Sequence, residues 1–332
     1  MLALLVLAAI WGTSFLLIKV GLQGLSPPQL VLGRVGTGAL ALLAVGAAAH
    51  IRPAAQAGGA VQGGRAAVAA PALAHRGGPG LSIRRLPWGA LVVVAIISNV
   101  IPFLLFAWGE TRVPSGLAGL LNATTPLFTV GVALAALPEE RLSRTRAVGL
   151  ALGLAGVVVV LSPWRALGHS LVGELACLGA AASYGLAFVF TRRVLTPRRL
   201  PTLTLATGQL VAAFAVLAVL APLIATGPMT LTPGVVASVV VLGAVNTGFA
   251  YLLYHYLVRE AGATRASTVT YLVPVVAVAL GVAVRGEPLS WALVVGGLIV
   301  ILGVVTLEGR VRWAIPAGVR RRPRRDQARS RR

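Results

Sequence analysis

Residues 7–19 read LAAIWGTSFLLIK and residues 180–192 read AAASYGLAFVFTR. At an offset of 173, Ala8-Ala9 meets Ala181-Ala182, Trp11-Gly12 meets Tyr184-Gly185, Phe15 meets Phe188 and Lys19 meets Arg192. Further along, the offset becomes 147. It pairs Asn99 with Asn246, Arg112 with Arg259, Glu140 with Glu287, Leu142-Ser143 with Leu289-Ser290, Gly149 with Gly296 and Gly156 with Gly303. Pro126 meets Pro274 with a one-residue slip. The chain reads as a unit and its repeat, with connectors of different length.

Composition says what each unit is. Hydrophobic residues make up 57% of the 332 residues and charged residues 11%, and the mean hydropathy is +0.89. A soluble domain carries roughly 25% charge. The apolar runs reach the length of about 20 residues needed to cross the hydrocarbon core as helix. They predict ten spans, at about 2–20, 28–49, 88–108, 115–137, 146–162, 173–191, 202–225, 235–257, 266–284 and 290–307. Helix is required because a backbone in lipid must satisfy its own hydrogen bonds, and the runs alternate too little for barrel strands. The predicted fold class is an all-α integral membrane protein of ten transmembrane helices, built as two inverted-topology five-helix repeats, 1–165 and 166–308. Inversion follows from the odd number of crossings in each unit. A basic tail, 309–332, reads as disordered and cytoplasmic.

The net charge of +21 raises the question of nucleic acid, but its placement argues against that partner. Lys and Arg avoid the apolar runs. With the N-terminus in the cytoplasm, 24 of the 29 fall in cytoplasmic connectors and the C-terminal segment, and only Arg112, Arg165 and Arg285 in the outer ones. This bias is the positive-inside signature; it puts both termini in the cytoplasm of a cell membrane protein. Trp88, Trp108, Trp164, Trp291 and Trp313 fall at span ends, as an interfacial aromatic belt requires. The first run has no basic lead or cleavage site and reads as a span, not a signal peptide. The connector 50–87, rich in Ala, Gly, Pro and Arg, shows no period and reads as a flexible cytoplasmic loop. Cys177 is a lone cysteine in an apolar run and reads as a small core residue.

Several motifs share an order in both halves: Trp11-Gly12-Thr13-Ser14-Phe15 with Lys19, Pro126-Leu127-Phe128, Glu139-Glu140-Arg141-Leu142-Ser143, and Gly149 through Gly156. In the second half they become Ala263-Thr264-Arg265-Ala266-Ser267, Pro274-Val275-Val276 and Gly286-Glu287-Pro288-Leu289-Ser290. The chain resembles the EamA-type, ten-helix branch of the drug/metabolite transporter superfamily over about residues 7–307, apart from 50–87. The resemblance implies a central cavity between the halves and export or exchange of small metabolites or drugs. Amino-acid-like solutes fit that cargo, and the resemblance leaves the substrate open.

Polar groups inside lipid are costly and face a cavity or a partner, so they supply the pathway candidates. Arg34 lies about two turns into its span and is either an anchor or a cavity cation. Lys19 reads as a snorkelling anchor. Asn99 and Asn246 occupy equivalent positions and suit interhelical packing or the pathway equally. Asn122 and Thr125 precede Pro126, and Tyr271 precedes Pro274. A proline frees helix carbonyls that must find partners, and broken polar helices point to transport sites. Trp11 and Tyr184 match across the repeats beside glycines and read as packing, gating or stacking residues. His255 can titrate near neutral pH. Glu110 and Glu174 fall at span ends, outside the mid-membrane. Glu140 and Glu287 read as helix N-terminal caps, and the glycines of spans 5 and 10 as packing or homodimer surfaces. No nucleotide loop, nucleophile elbow or metal-ligand spacing occurs, so no enzyme activity, metal or cofactor is expected. The partners expected are a small-molecule substrate and membrane lipids, with anionic lipid at the tail. A second class stays open: a membrane structural or sensory protein whose tail binds lipid.

Overall fold

The computed structural model describes residues 2–57, 86–137, 140, 142–161, 170–198, 200–261 and 269–309. Among them, all regular structure is helical. Eight helices are long and apolar enough to cross a membrane. They are α1 (Leu2–Gly21), α2 (Pro27–Ala57), α3 (Trp88–Glu110), α4 (Ser115–Ala136), α5 (Arg144–Leu161), α6 (Leu171–Arg198), α7 (Thr202–Ile224) and α8 (Pro233–Tyr254, helical on to Ala261). Two shorter apolar helices follow, α9 (Val269–Arg285) and α10 (Trp291–Leu307). Each coincides within a few residues with an apolar run. The departure is at the start of the 50–87 connector, where α2 continues as helix to Ala57, through Pro53. Residues 58–85, the tail from 310 and Trp164 lie outside the described residues.

A lipid solvent gives apolar side chains no reason to leave it for one another, so helix association rests on close packing and a few hydrogen bonds. The tightest pair is α5 with α10. A Cβ added at Gly156 would stand 2.6 Å from the Val300 nitrogen and 2.9 Å from the Gly296 carbonyl; one at Gly296 would stand 2.8 Å from the Val160 nitrogen. Gly149 and Gly303 face each other in the same seam. Backbone lies on backbone along most of both helices. These glycines therefore serve packing within one chain, not a dimer surface. Around this pair, α1 packs on α9 and α8, α6 on α4 and α3, α2 on α7 and α8, and α3 on α7.

The termini differ from the expectation for the two acids. α10 is capped by Ser290, whose hydroxyl accepts from the Leu293 N–H at 3.1 Å, and Ser143 accepts from the Arg146 N–H at the start of α5. Glu140 instead pairs with Arg192 at 2.7 Å and Arg146 at 2.9 Å. The Arg192 hydrogen bond, then that of Arg146, holds its carboxyl below the ordinary carboxylate range. Glu287 caps a different helix, α4. It accepts from the Ser115 N–H at 2.8 Å, the Ser115 hydroxyl at 2.7 Å and the Gly116 N–H at 3.0 Å. A carboxylate on the positive end of a helix dipole is a favourable placement.

Gly303→Val would force α5 and α10 apart. Overpacking of this kind costs about 1–3 kcal/mol. The expected result is a lower melting temperature of the purified protein in detergent, followed by loss of monodispersity on a sizing column, with Leu302→Val, on an exposed face, unchanged.

Candidate functional site

Two helices leave regular α geometry at the same repeat position. Ile96–Val100 in α3 and Val241–Phe249 in α8 are π-helical, and the paired asparagines Asn99 and Asn246 lie inside them. In α3 the cause is local. Pro102 has no N–H for the Ser98 carbonyl, and the ladder widens ahead of it, with the Ile101 N–H reaching Ile96. Such widened turns turn polar side chains inward and recur at functional sites.

The two asparagines then do different work. The Asn246 amide donates to the hydroxyls of Thr13 at 3.1 Å and Ser14 at 3.0 Å, and to the Ile10 carbonyl, so it ties α8 to α1. Asn99 joins a polar cluster between α3, α7 and α8. Its amide donates to the Tyr251 hydroxyl at 3.0 Å, and its carbonyl accepts from Gln209 at 2.7 Å and lies 2.9 Å from the Ser98 hydroxyl. The Gln209 amide also reaches Ser98.

Arg34 enters this region from α2. It is 8% exposed, so it is not an anchor reaching for the interface. Its guanidinium lies over the Phe103 ring, 3.8 Å from the centroid, and its Nε donates to the Thr247 hydroxyl at 3.0 Å. The Thr247 hydroxyl in turn donates to the Leu242 carbonyl at 2.8 Å. Tyr184 and Tyr251 pack against the same core cluster as Phe103. Tyr184 also faces Phe106, with ring centroids 6.2 Å apart, and Phe106 meets Phe15 edge-on at 5.6 Å. Trp11 packs on Tyr254 at 5.5 Å. Aromatic rings from α1, α3 and α6 thus form a chain of contacts ending at Tyr184, which packs against the cluster that holds Phe103.

The remaining candidates lie elsewhere. At Pro126, α4 breaks between Asn122 and Thr125. The carbonyl that Pro126 leaves without a donor is that of Asn122, and the Thr125 hydroxyl donates to it at 2.7 Å. The break is satisfied by its own turn. Pro274 behaves differently, since α9 runs through it without a break. Tyr271 packs with Ala123, Leu127 and Leu307, beside α4 and α10. The side chain of His255 lies outside the described residues. Lys19 turns inward and donates to the Glu110 carbonyl at the end of α3, so it is a C-terminal cap in place of the expected snorkelling anchor. Glu110 and Glu174 lie at span ends, as expected, and are buried there, 0% and 1% exposed. A groove of about 800 Å³ lies away from the polar cluster. It runs between α2, α7 and α8, past Leu40, Phe214 and Val240, which are exposed; it is an apolar, outward-facing feature.

Tyr251, Gln209, Thr247 and Phe103 were not singled out by the sequence reading. Gln209 is the one with a usable signal, a lone amide in an apolar run.

The comparisons with known proteins come down on the same side as this architecture. The EamA-like transporter family model matches residues 1–162 and 171–308. The chain belongs to the EamA-like transporter family. It is 28% identical to a probable terminal-alkyne amino-acid exporter of Streptantibioticus cattleyicolor, with 93% of each chain covered. It is 27% identical to the inner membrane transporter YedA of Escherichia coli K12, over 92% of this chain and 90% of that one. A solved crystal structure, 23% identical, superposes with a TM-score of 0.62 over 92% of this chain and 96% of the other; it shares the fold. This EamA-like protein is a multi-pass membrane protein.

Asn246→Ala removes bonds that fasten α8 to α1. Interhelical hydrogen bonds in membranes contribute about 0.6 kcal/mol on average and up to about 1.7. With three acceptors around one amide, a loss at the upper end is expected, read as a lowered melting temperature in detergent. Asn246→Asp, which keeps the shape and turns a donor into an acceptor, should lower it further.

Proposed function

We propose that this protein is a secondary transporter of the cell membrane. It exports or exchanges small organic metabolites or drugs, amino-acid-like solutes among them, by alternating access between two inverted five-helix halves, α1–α5 and α6–α10. The observation that carries the reading is the exchange symmetry of the packing. Swap each helix for its counterpart five places along, and α1 on α9 becomes α6 on α4, while α2 on α8 becomes α7 on α3; all four contacts occur. The symmetry holds at single residues. Gly12 receives Val276 and the Val273 carbonyl of α9, and Gly185 receives Phe128 and Thr129 of α4. The π-helical turns around Asn99 and Asn246 repeat it a second time. The matched family ranges part between α5 and α6, where the halves meet in sequence.

Symmetric units in unlike conformations are what alternating access requires. Three departures from symmetry support that here: α4 breaks at its proline while α9 does not, Asn99 and Asn246 bond differently, and Glu287 clasps α4 while its counterpart Glu140 pairs with arginines. With both termini cytoplasmic, the Glu287 clasp lies at the outer face. There it holds the first half of α4 against α9, and the second half of α4 turns to α6. On this reading the clasp closes the outer gate. The name of the Streptantibioticus relative supports amino-acid-like cargo.

An efflux screen tests the function. Cells with and without the protein are loaded with labelled amino acids and toxic analogues; faster efflux or raised resistance is expected for at least one class. Equal behaviour for every class, with membrane insertion verified, would remove the transport claim. The gate has its own test. In a Cys177→Ser background, Asn122→Cys should react slowly with a membrane-impermeant maleimide added outside, and severalfold faster once Glu287→Ala releases α4. An unchanged rate would dispose of the clasp as a gate.

A further inference from the structure

A guanidinium carries five N–H donors in a planar fork. In Arg34 only Nε is bonded to protein; the two terminal nitrogens have no acceptor among the described residues, and neither is sealed from water. Among the described residues no carboxylate stands within ion-pair distance of it. The side chain is nonetheless more than nine-tenths buried, in a segment where an uncompensated charge is expensive. Phe103 covers one face of the fork and Thr247 holds its inner edge. What is left free is the outer edge, the edge that grips a carboxylate through two parallel hydrogen bonds. Tyr184 packs against the same core cluster as Phe103, and Phe106 and Phe15 continue from it as a ring ladder; these rings offer apolar faces to whatever the carboxylate is attached to.

We propose that Arg34 binds the carboxylate of the transported solute, and that the cargo is a small carboxylic acid with an apolar or aromatic body, an amino acid such as leucine or phenylalanine. The proposal rests on the transport reading above. Thr247 is then a positioning residue that sets the fork. The Tyr251–Asn99–Gln209 chain supplies a hydroxyl next to the bound head group. Binding replaces an unpaired buried cation with a neutral pair, so the head group contributes most of the discrimination and the rings add affinity with little selectivity among side chains. An amide or alcohol of the same carbon skeleton leaves the fork unfilled and is rejected, as sites built around a polar contact reject analogues lacking it.

The test is counterflow in proteoliposomes of purified protein, with labelled L-leucine and L-phenylalanine and with unlabelled leucine, leucinamide, leucinol and a leucine phosphonate analogue as competitors. The free acid is expected to compete at least tenfold better than the amide or alcohol. Arg34→Lys keeps the charge and loses the fork; it should raise the half-saturating concentration about tenfold, and Arg34→Gln should abolish acid-over-amide preference. Thr247→Val, which keeps the shape, should weaken the acid and leave the amide unchanged. A melting curve close to wild type separates these effects from misfolding, and Phe103→Leu serves as a second variant should Arg34→Gln not fold. Equal competition by acid and amide would overturn the proposal, as would preference for the phosphonate with no response to leucine. Exchange of a neutral solute with none of either amino acid would overturn it and leave transport standing. No exchange of any solute would overturn both.

Discussion

Lipid supplies no hydrogen bonds and no hydrophobic force between helices, and everything else in this molecule follows from that lack. A helix in hydrocarbon is already content. To hold ten apolar helices in one arrangement, the chain needs contacts that lipid tails cannot imitate. It uses two kinds. Glycines bring backbone to backbone, most completely where α5 meets α10, so that dispersion contacts between helices exceed those a disordered acyl chain offers. A few amides and hydroxyls then bond across helices, Asn246 onto α1 and Gln209 onto Asn99. Both devices work by fit rather than by area, and fit can have two solutions in one molecule where area burial would favour a single collapsed core.

Against that background, Arg34 is a cost in the structure. Some polar groups of the interior find partners within a turn or two, Thr125 on the carbonyl left by Pro126 and Thr247 on Leu242, whereas the buried Glu110 carboxylate has no hydrogen-bond partner among the described residues. Arg34 retains a bare outer edge. A stabilising role alone would be served by a carboxylate opposite it or by an apolar replacement. Retaining a cation that the protein itself leaves half-satisfied is the arrangement expected where the missing acceptor arrives from outside the chain. Phe103 tempers the cost in the empty state, since the ring face attracts the guanidinium without occupying its donors.

The sequence made the fold legible because two periodic signals reinforced one another. Apolar runs of spanning length mark the helices, and the offset of 147 residues puts Asn99 on Asn246 and Gly156 on Gly303. It was less informative about the site. A repeat reveals which positions correspond and hides how they differ, so Asn99 and Asn246 read alike although one ends in the polar cluster and the other in a helix contact. Pro126 and Pro274 likewise read as one motif, and only α4 breaks. Arg34 was picked out by its cost in lipid, whereas Tyr251 and Thr247 gave no comparable signal: a tyrosine or threonine in a helix can satisfy itself locally. Glu287 reads as a cap of the helix that follows it, but Ser290 caps that helix and Glu287 caps one that lies 172 residues upstream, and linear sequence gives no hint of that.

Under the proposed alternating access, those same asymmetries explain why duplication would suit the task. If both copies of a unit could adopt only one conformation, a duplicated bundle would be rigid and closed, or open, at both ends at once. Here the sequence is repeated closely enough for α4 and α9 to have equivalent neighbours, and loosely enough for each to take a different state at a given moment. Glu287 on the Ser115 N–H is one state of a bond for which Glu140 is the counterpart acid, at present held by Arg146 and Arg192. Releasing the first and freeing the second exchanges two weak, solvent-accessible contacts of similar kind, with no large area buried or exposed. On that proposal the energy difference between the two arrangements would be small, and a solute that neutralised Arg34 would shift the balance toward the arrangement it binds better.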